Sequence, residues 1–220
     1  MTGDEDTDPD RRGVVETYDY IAGHFATKRE NPWPEAQDFI AGRDVETAID
    51  VGCANGRHTE LLADVAERAV GLDASRELLR EAVERERDHG FDAGLVQGDA
   101  LRLPVRTDSV DLAVYVATMH HLPRREDRIG SLDELARVLK PDARGLVSVW
   151  SVEHDYFQET RGFDTTVTFT MPDGTEVPRY YHIYDTVEFG EDLAASAVVV
   201  EREWVSQGNC YAVVRGADSA

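Results

Sequence analysis

Between residues 47 and 150, short apolar runs alternate with amphipathic stretches, and this rhythm constrains the fold more than any other feature of the chain. Residues 47–51, 66–72, 93–96, 110–117 and 145–150 read as strands. Helices are expected over 57–65, 75–89 and 125–139. The second carries Leu78, Leu79 and Val83 on its inner side and stops at Gly90; the third is ended by Pro141. Strands that are apolar almost throughout belong to a parallel sheet covered by helices on both faces, so the fold class is α/β. Upstream, Val14, Tyr18, Ile21, Ala22 and Phe25 recur at helical spacing as far as the break at Asn31-Pro32-Trp33-Pro34, where Pro34 can open a second short helix.

After Trp150 the rhythm changes. Residues 165–170 and 176–182 flank Met171-Pro172-Asp173-Gly174, a turn signal that predicts a hairpin. A short acidic helix over 187–195 follows, and strands at 197–203 and 210–214 close the chain as an antiparallel pair at the sheet edge. A single domain over 11–220 accounts for the length of 220 residues, with an acidic disordered tail over 1–10 and a substrate-side insertion over 151–184.

Charge narrows the partners and the solvent. Lys and Arg total 23 against 44 Asp and Glu, a net charge of −21, and only Lys28 and Lys140 are lysines. A diffuse basic field for nucleic acid is thereby excluded, while a local arginine-lined site is not. Many acids, few lysines and a 41% hydrophobic fraction read as an ordinary core with a surface adapted to high salt. At molar salt the Debye length is about 3 Å, so repulsion from an RNA backbone would be weak. Cys53 and Cys210 offer neither a disulfide framework nor a metal cluster, and no apolar run is long enough to span a membrane. A cytoplasmic protein is the expectation.

The first strand ends in Asp50-Val51-Gly52-Cys53-Ala54-Asn55-Gly56, where Gly52 and Gly56 let a ligand approach the backbone. Asp73 closes the second strand, at the place of an acid that holds a ribose diol; Gly98-Asp99-Ala100 closes the third, where an adenine can lie. Each Asp alone reads equally well as a turn cap. A dinucleotide-binding dehydrogenase shares the ribose acid, but normally has a tighter three-glycine turn.

Taken together these segments resemble the class I S-adenosylmethionine-dependent methyltransferases. Asp50–Val51 onward matches their first motif, Val70-Gly71-Leu72-Asp73 the second, and Gln97-Gly98-Asp99-Ala100-Leu101 the third. The resemblance implies a Rossmann-like, seven-stranded, mostly parallel sheet whose final strand is antiparallel, and S-adenosylmethionine as cofactor. It implies cofactor contacts from Asp50, Gly52, Cys53, Ala54 and Gly56, from Asp73 and Ala74, and from Gly98, Asp99, Ala100 and Ala117. Two departures stand out. Ala54 replaces the usual glycine, and Pro141-Asp142-Ala143 replaces a Pro-Gly-Gly turn.

A narrower likeness runs from about Tyr18 to Val214. Tyr18-Asp19-Tyr20 through Lys28-Arg29, Trp33-Pro34, His120-His121-Leu122 and Arg179-Tyr180-Tyr181-His182 resemble the tRNA wobble-uridine methyltransferases that esterify 5-carboxymethyluridine. That likeness implies a tRNA anticodon arm as substrate and a small zinc-binding activator protein as partner. An apolar strip beside residues 113–117 or the third strand would suit the activator. A carboxylate acceptor is already ionised and needs placement more than a base, so Arg29 and Arg179 are the expected clamp, with His120, Tyr180 and His182 as further catalytic candidates. Each arginine alone is as well explained by a surface ion pair. Tyr180, Tyr181, Trp33 and Trp150 are candidates to stack on a base or to pack the core. A metabolite O- or C-methyltransferase is the alternative.

Overall fold

The computed structural model describes residues 11–216, so the acidic segment over 1–10 lies outside the described residues. Helix α1 (Arg11–Lys28) and helix α2 (Pro34–Ile40) precede strand β1 (Val45–Val51). Then come α3 (Arg57–Ala63), β2 (Ala66–Asp73), α4 (Arg76–His89), β3 (Gly94–Gln97), β4 (Val110–Val116), a single 3-10 turn (Met119–His121), α5 (Arg125–Val138) and β5 (Leu139–Trp150). The chain ends with β6 (Phe163–Thr170), β7 (Glu176–Ile183), α6 (Thr186–Ala195), β8 (Val199–Ser206) and β9 (Asn209–Arg215).

Seven strands form one sheet in the order β3-β2-β1-β4-β5-β9-β8, with β9 antiparallel to both its neighbours and the other pairings parallel. The hairpin β6–β7 forms a separate two-stranded sheet, antiparallel as expected of strands joined by an Asp-Gly turn. Strand alternation explains why both faces are apolar. Along β4, Ala113 and Tyr115 join Leu132, Leu135 and Phe189 on the side of α5 and α6. Leu112, Val114 and Val116 join Ala36, Ile40 and Leu62 on the side of α2 and α3.

Two local expectations are corrected. Val83 is 39% exposed; the inner face of α4 is Leu78, Leu79 and Ala82, because the turn after Ser75 sets the phase of the helix. The third long helix ends at Val138 and not under Pro141, and β5 begins at Leu139 instead of 145. Lys140 precedes a proline and is biased to extended backbone, and Leu139 already pairs with Val110. Residues 113–116 are fully or almost fully buried, so the apolar strip envisaged there is not a surface; β3 instead stands at the open edge of the sheet, with Leu95 and Val96 partly buried. Among the described residues no helix is long and apolar enough to cross a membrane, and no cluster of His, Cys, Asp and Glu could hold a metal ion.

Candidate functional site

One cavity of about 660 Å³ lies over the C-terminal ends of β1, β2 and β4, the end at which open α/β sheets bind ligands. Helix α1 runs across it and contributes Tyr18 and Phe25 to its lining, with Arg29 just past the helix end. The helix is held there by Asp19, whose Oδ1 accepts from Ser75 Oγ at 2.6 Å and from the Glu77 N–H at 3.1 Å. Its far side meets the hairpin, where Phe25 and His24 pack against Phe169.

The glycine turn is shaped by backbone need. Gly52 has φ +74°, and a Cβ there would run into the Thr118 side chain. Ala54 also adopts a left-handed φ, +49°, so the position that the sequence leaves open does require that conformation in spite of its methyl group. The Ala54 N–H donates to Asp73 Oδ2 at 2.8 Å, tying the first turn to the end of the second strand. Ser75 N–H donates to Asp73 Oδ1 at 2.9 Å. Each carboxylate oxygen thus keeps one lone pair for a ligand hydroxyl, and burial raises the acid to about 6. Gly52, Cys53, Ala54, Asp73, Ala74, Gly98, Asp99, Ala100 and Ala117 all line the cavity. A Cβ at Gly98 would stand 2.7 Å from Leu72 Cδ1, which explains glycine at the third strand's end. Gly56 instead begins α3 at φ +77°.

Two expected cofactor contacts are qualified by geometry. Asp50 is buried beneath the turn and does not line the cavity; its Oδ2 accepts from Thr59 Oγ1 at 2.7 Å, its Oδ1 has no partner, and burial lifts it to about 7. Asp99 lines the cavity, yet its carboxylate also pairs with Arg11 and accepts from the Leu101 N–H at 3.0 Å.

The other half of the cavity is walled by the 3-10 turn, Trp150 and β7. Arg179 is 5% exposed, with Nε and Nη1 buried and unpartnered, and its guanidinium lies 5.1 Å from the Phe169 ring and 5.2 Å from that of Tyr181. A buried cation with donors left over is expensive, and its free N–H groups are available to an anion that enters the cavity. Arg29 lines the same cavity but its side chain is exposed, 5.6 Å from the Phe25 ring; Phe25 and Phe169 stand between the two arginines.

The histidines are neutral hydrogen-bond fixtures. The Trp150 N–H donates to His120 Nδ1 at 2.9 Å, and burial holds His120 well below its ordinary pKa. His121 donates from Nδ1 to the Tyr180 carbonyl at 3.0 Å, so its Nε2 accepts from the Tyr18 hydroxyl at 3.0 Å; burial depresses it to about 3. Burial also pushes the Tyr18 hydroxyl well above its ordinary range.

Tyr180 and His182 are corrected. The alternation of β7 sends Arg179 and Tyr181 into the cavity and the even-numbered pair to the opposite side. There the Tyr180 hydroxyl donates to Asp164 Oδ1 at 2.7 Å, and His182 sits between Asp164, 2.7 Å from Nδ1, and Glu188, 3.0 Å from Nε2 though not aligned for a hydrogen bond. Both brace the hairpin and neither lines the cavity. Residues that sequence reasoning missed are Thr118, whose bulk answers Gly52, and Arg57, which lines the cavity directly after the glycine turn. The reciprocal fit of a glycine and a residue 66 positions away has no local signal, and a basic residue opening a helix draws no attention.

A family model described as a methyltransferase domain matches residues 49–147, the span from β1 into β5. The Xenopus tropicalis tRNA (carboxymethyluridine(34)-5-O)-methyltransferase is 36% identical over 148 residues, 67% of this chain; the chain spans only 22% of that relative's length. A candidate methyltransferase from Encephalitozoon cuniculi is 31% identical over 181 residues, covering 80% of this chain and 81% of its own. A chain from the complex between the Haloferax volcanii Trm112 methyltransferase activator and a candidate methyltransferase superposes with a TM-score of 0.69 at 18% identity, over 94% of this chain and 99% of that one. The sheet order, the glycine turn with its strand-end acids and these relatives agree: the chain belongs to the class I S-adenosylmethionine-dependent methyltransferases.

Proposed function

We propose that the protein methylates the carboxylate of 5-carboxymethyluridine at the wobble position of tRNA. The observation that carries this reading is Arg179, a buried guanidinium with two unpartnered nitrogens in the same cavity as Gly52, Asp73 and Thr118. The name of the Xenopus relative, a tRNA (carboxymethyluridine(34)-5-O)-methyltransferase of which this chain spans 22%, supports the same substrate.

The cradle fits the cofactor: the left-handed turn brings the backbone close, and Asp73 keeps acceptor capacity for a ribose diol. When bound, S-adenosylmethionine supplies an electrophilic methyl group on a sulfonium centre. The protein's own residues then have to place an oxygen in line. Arg179 grips the two carboxylate oxygens as a fork and fixes their direction, which matters more than basicity for an acceptor that is already ionised. His120 and His121, neutral and committed to the Trp150 amide and the Tyr180 carbonyl, hold the wall without taking a proton. Tyr181, packed on His121 at 4.5 Å and Trp150 at 5.2 Å, and Trp150 itself offer apolar flanks to a uracil ring. A small activator protein is the proposed partner, supported by the assembly of the Haloferax neighbour, and the open edge of β3 is where an added strand could pair.

The test compares methyl transfer to carboxymethyluridine-containing tRNA by wild type and Arg179→Lys, with activator present. Keeping charge but losing the fork should lower the rate on the order of 100-fold while cofactor affinity stays within a factor of two or so. Full activity of R179K would remove the clamp. No transfer by the cofactor-bound wild type would remove the tRNA reading and favour a metabolite acceptor.

A further inference from the structure

Past the end of β5, residues 151–157 make a tight turn that is pinned to the end of β7, to the β8–β9 turn and to itself. The Ser151 N–H donates to the Gly208 carbonyl at 3.0 Å, and the Val152 N–H to the Tyr184 carbonyl at 2.9 Å. The Tyr156 N–H donates to His154 Nδ1 at 3.1 Å, and the Phe157 N–H to the His154 carbonyl at 3.0 Å. Gly208, at φ +73°, passes so close to this turn that a Cβ on it would lie 2.5 Å from that of His154. A segment fixed in this way nevertheless leaves Tyr156 68% exposed. A single exposed aromatic is ordinary; its place is what matters here. The Tyr156 ring lies 6.2 Å from that of Trp150 with the two planes inclined by 31°, and Phe157 stands steeply to both, 4.8 Å from Trp150 and 5.2 Å from Tyr156. Trp150 in turn meets Tyr181 at 5.2 Å, and Tyr181 meets the Arg179 guanidinium at 5.2 Å. Trp150 and Tyr181 line the cavity and Tyr156 does not. A row of rings thus leads from the guanidinium out of the cavity and onto the surface.

We infer that Tyr156 is a stacking platform for the nucleobase next to the methylated nucleotide, an inference that rests on the tRNA reading. A metabolite acceptor ends inside the cavity and leaves the outermost ring unused. A polynucleotide has to continue out of the cavity, and a neighbouring base pulled from its own stack needs a π-face to replace the one it lost. Charge selects the base over the backbone. Glu153, Asp155 and Glu159 are exposed along the same segment and repel phosphate, whereas a ring stacked on a ring carries no such penalty. In a chain of net charge −21, part of the grip on RNA then comes from a contact that salt does not screen. A partner protein is the competing occupant. The continuity of the ring row with the cavity favours the substrate.

Steady-state methyl transfer by the full chain decides it, in molar potassium chloride with activator present and carboxymethyluridine-containing tRNA as substrate. Tyr156→Ala should raise the KM for tRNA about tenfold, and Tyr156→Phe, which keeps the ring, should restore it. The melting temperature and the affinity for S-adenosylmethionine should stay as in wild type, because the ring is exposed and stands outside the cavity. The decisive substrates are two tRNAs assembled with an abasic residue on one side or the other of the carboxymethyluridine. One of them should raise the wild-type KM about tenfold and that of Y156A no further, as two halves of one contact must. A wild-type KM in Y156A, or abasic effects that are missing from wild type or add in full to that of Y156A, would overturn the platform while transfer by wild type upholds the tRNA reading. Y156A that loses only its affinity for the activator would assign the ring to a partner protein and overturn the platform as well. No transfer by the cofactor-bound wild type to intact tRNA would overturn the reading and the platform together.

Discussion

Asp73 accepts two backbone N–H bonds and is nevertheless held at about 6, because burial outweighs them. Removing it should cost cofactor affinity about 1.5–3 kcal/mol, the value of hydrogen bonds to a charged group left unmade. Asp73→Ala that binds S-adenosylmethionine as wild type does would misplace the ribose. The raised pKa adds a sign. Ribose hydroxyls donate to the ionised form, so binding must expel the proton that the free protein retains below about 6. Affinity should therefore hold steady above pH 7 and fall below 6, by at most about tenfold per pH unit for one proton; calorimetry in buffers of different ionisation enthalpy reads the released proton, and affinity flat from pH 8 to 5 would contradict it. At this scale the sequence was legible where function is local. Gly52, Asp73 and Gly98 stand at strand ends that hydrophobic runs already mark. Arg57 was illegible, because a basic residue opening a helix reads the same whether it faces solvent or lines a cavity.

Strand β7 shows what an element adds to its residues. Pairing with β6, Thr165 opposite Tyr181 and Thr166 opposite Tyr180, fixes which side chains turn toward the cavity. The sequence marks the segment and its hairpin turn, but the phase depends on α1 and the 3-10 turn, which meet the strand only in the folded chain. Arg179-Tyr180-Tyr181-His182 thus splits into a functional pair and a bracing pair. Tyr180→Phe should lose the bonds to Asp164 and the Pro123 carbonyl, lowering stability by about 0.5–1.5 kcal/mol in denaturant titrations while methyl transfer per folded molecule is kept. A kcat loss beyond about tenfold in folded Y180F, larger than a brace should cause, would return Tyr180 to the chemistry.

Across the whole molecule, a net charge of −21 is spread over a fold whose core is ordinary. Self-repulsion on that surface should be relieved by salt, so the melting temperature should rise across a potassium chloride series toward molar concentrations. A flat or falling series would contradict adaptation to high salt. The α/β architecture was legible because alternation repeats over a hundred residues, whereas the roof over the cavity was not: α1 joins it through Asp19 and Ser75, 56 positions apart. On the proposed reading, the buried cation of Arg179, with two nitrogens unpartnered, would act against this negative background as a one-way valve for charge. An anionic acceptor would cross a repelling exterior because something inside needs it. If the acceptor is the proposed carboxylate, methylation would leave a neutral ester that no longer satisfies the guanidinium, so the reaction would erase the attraction that captured its substrate. Turnover would then depend less on opening the fold than on the product having become a stranger to the site that made it.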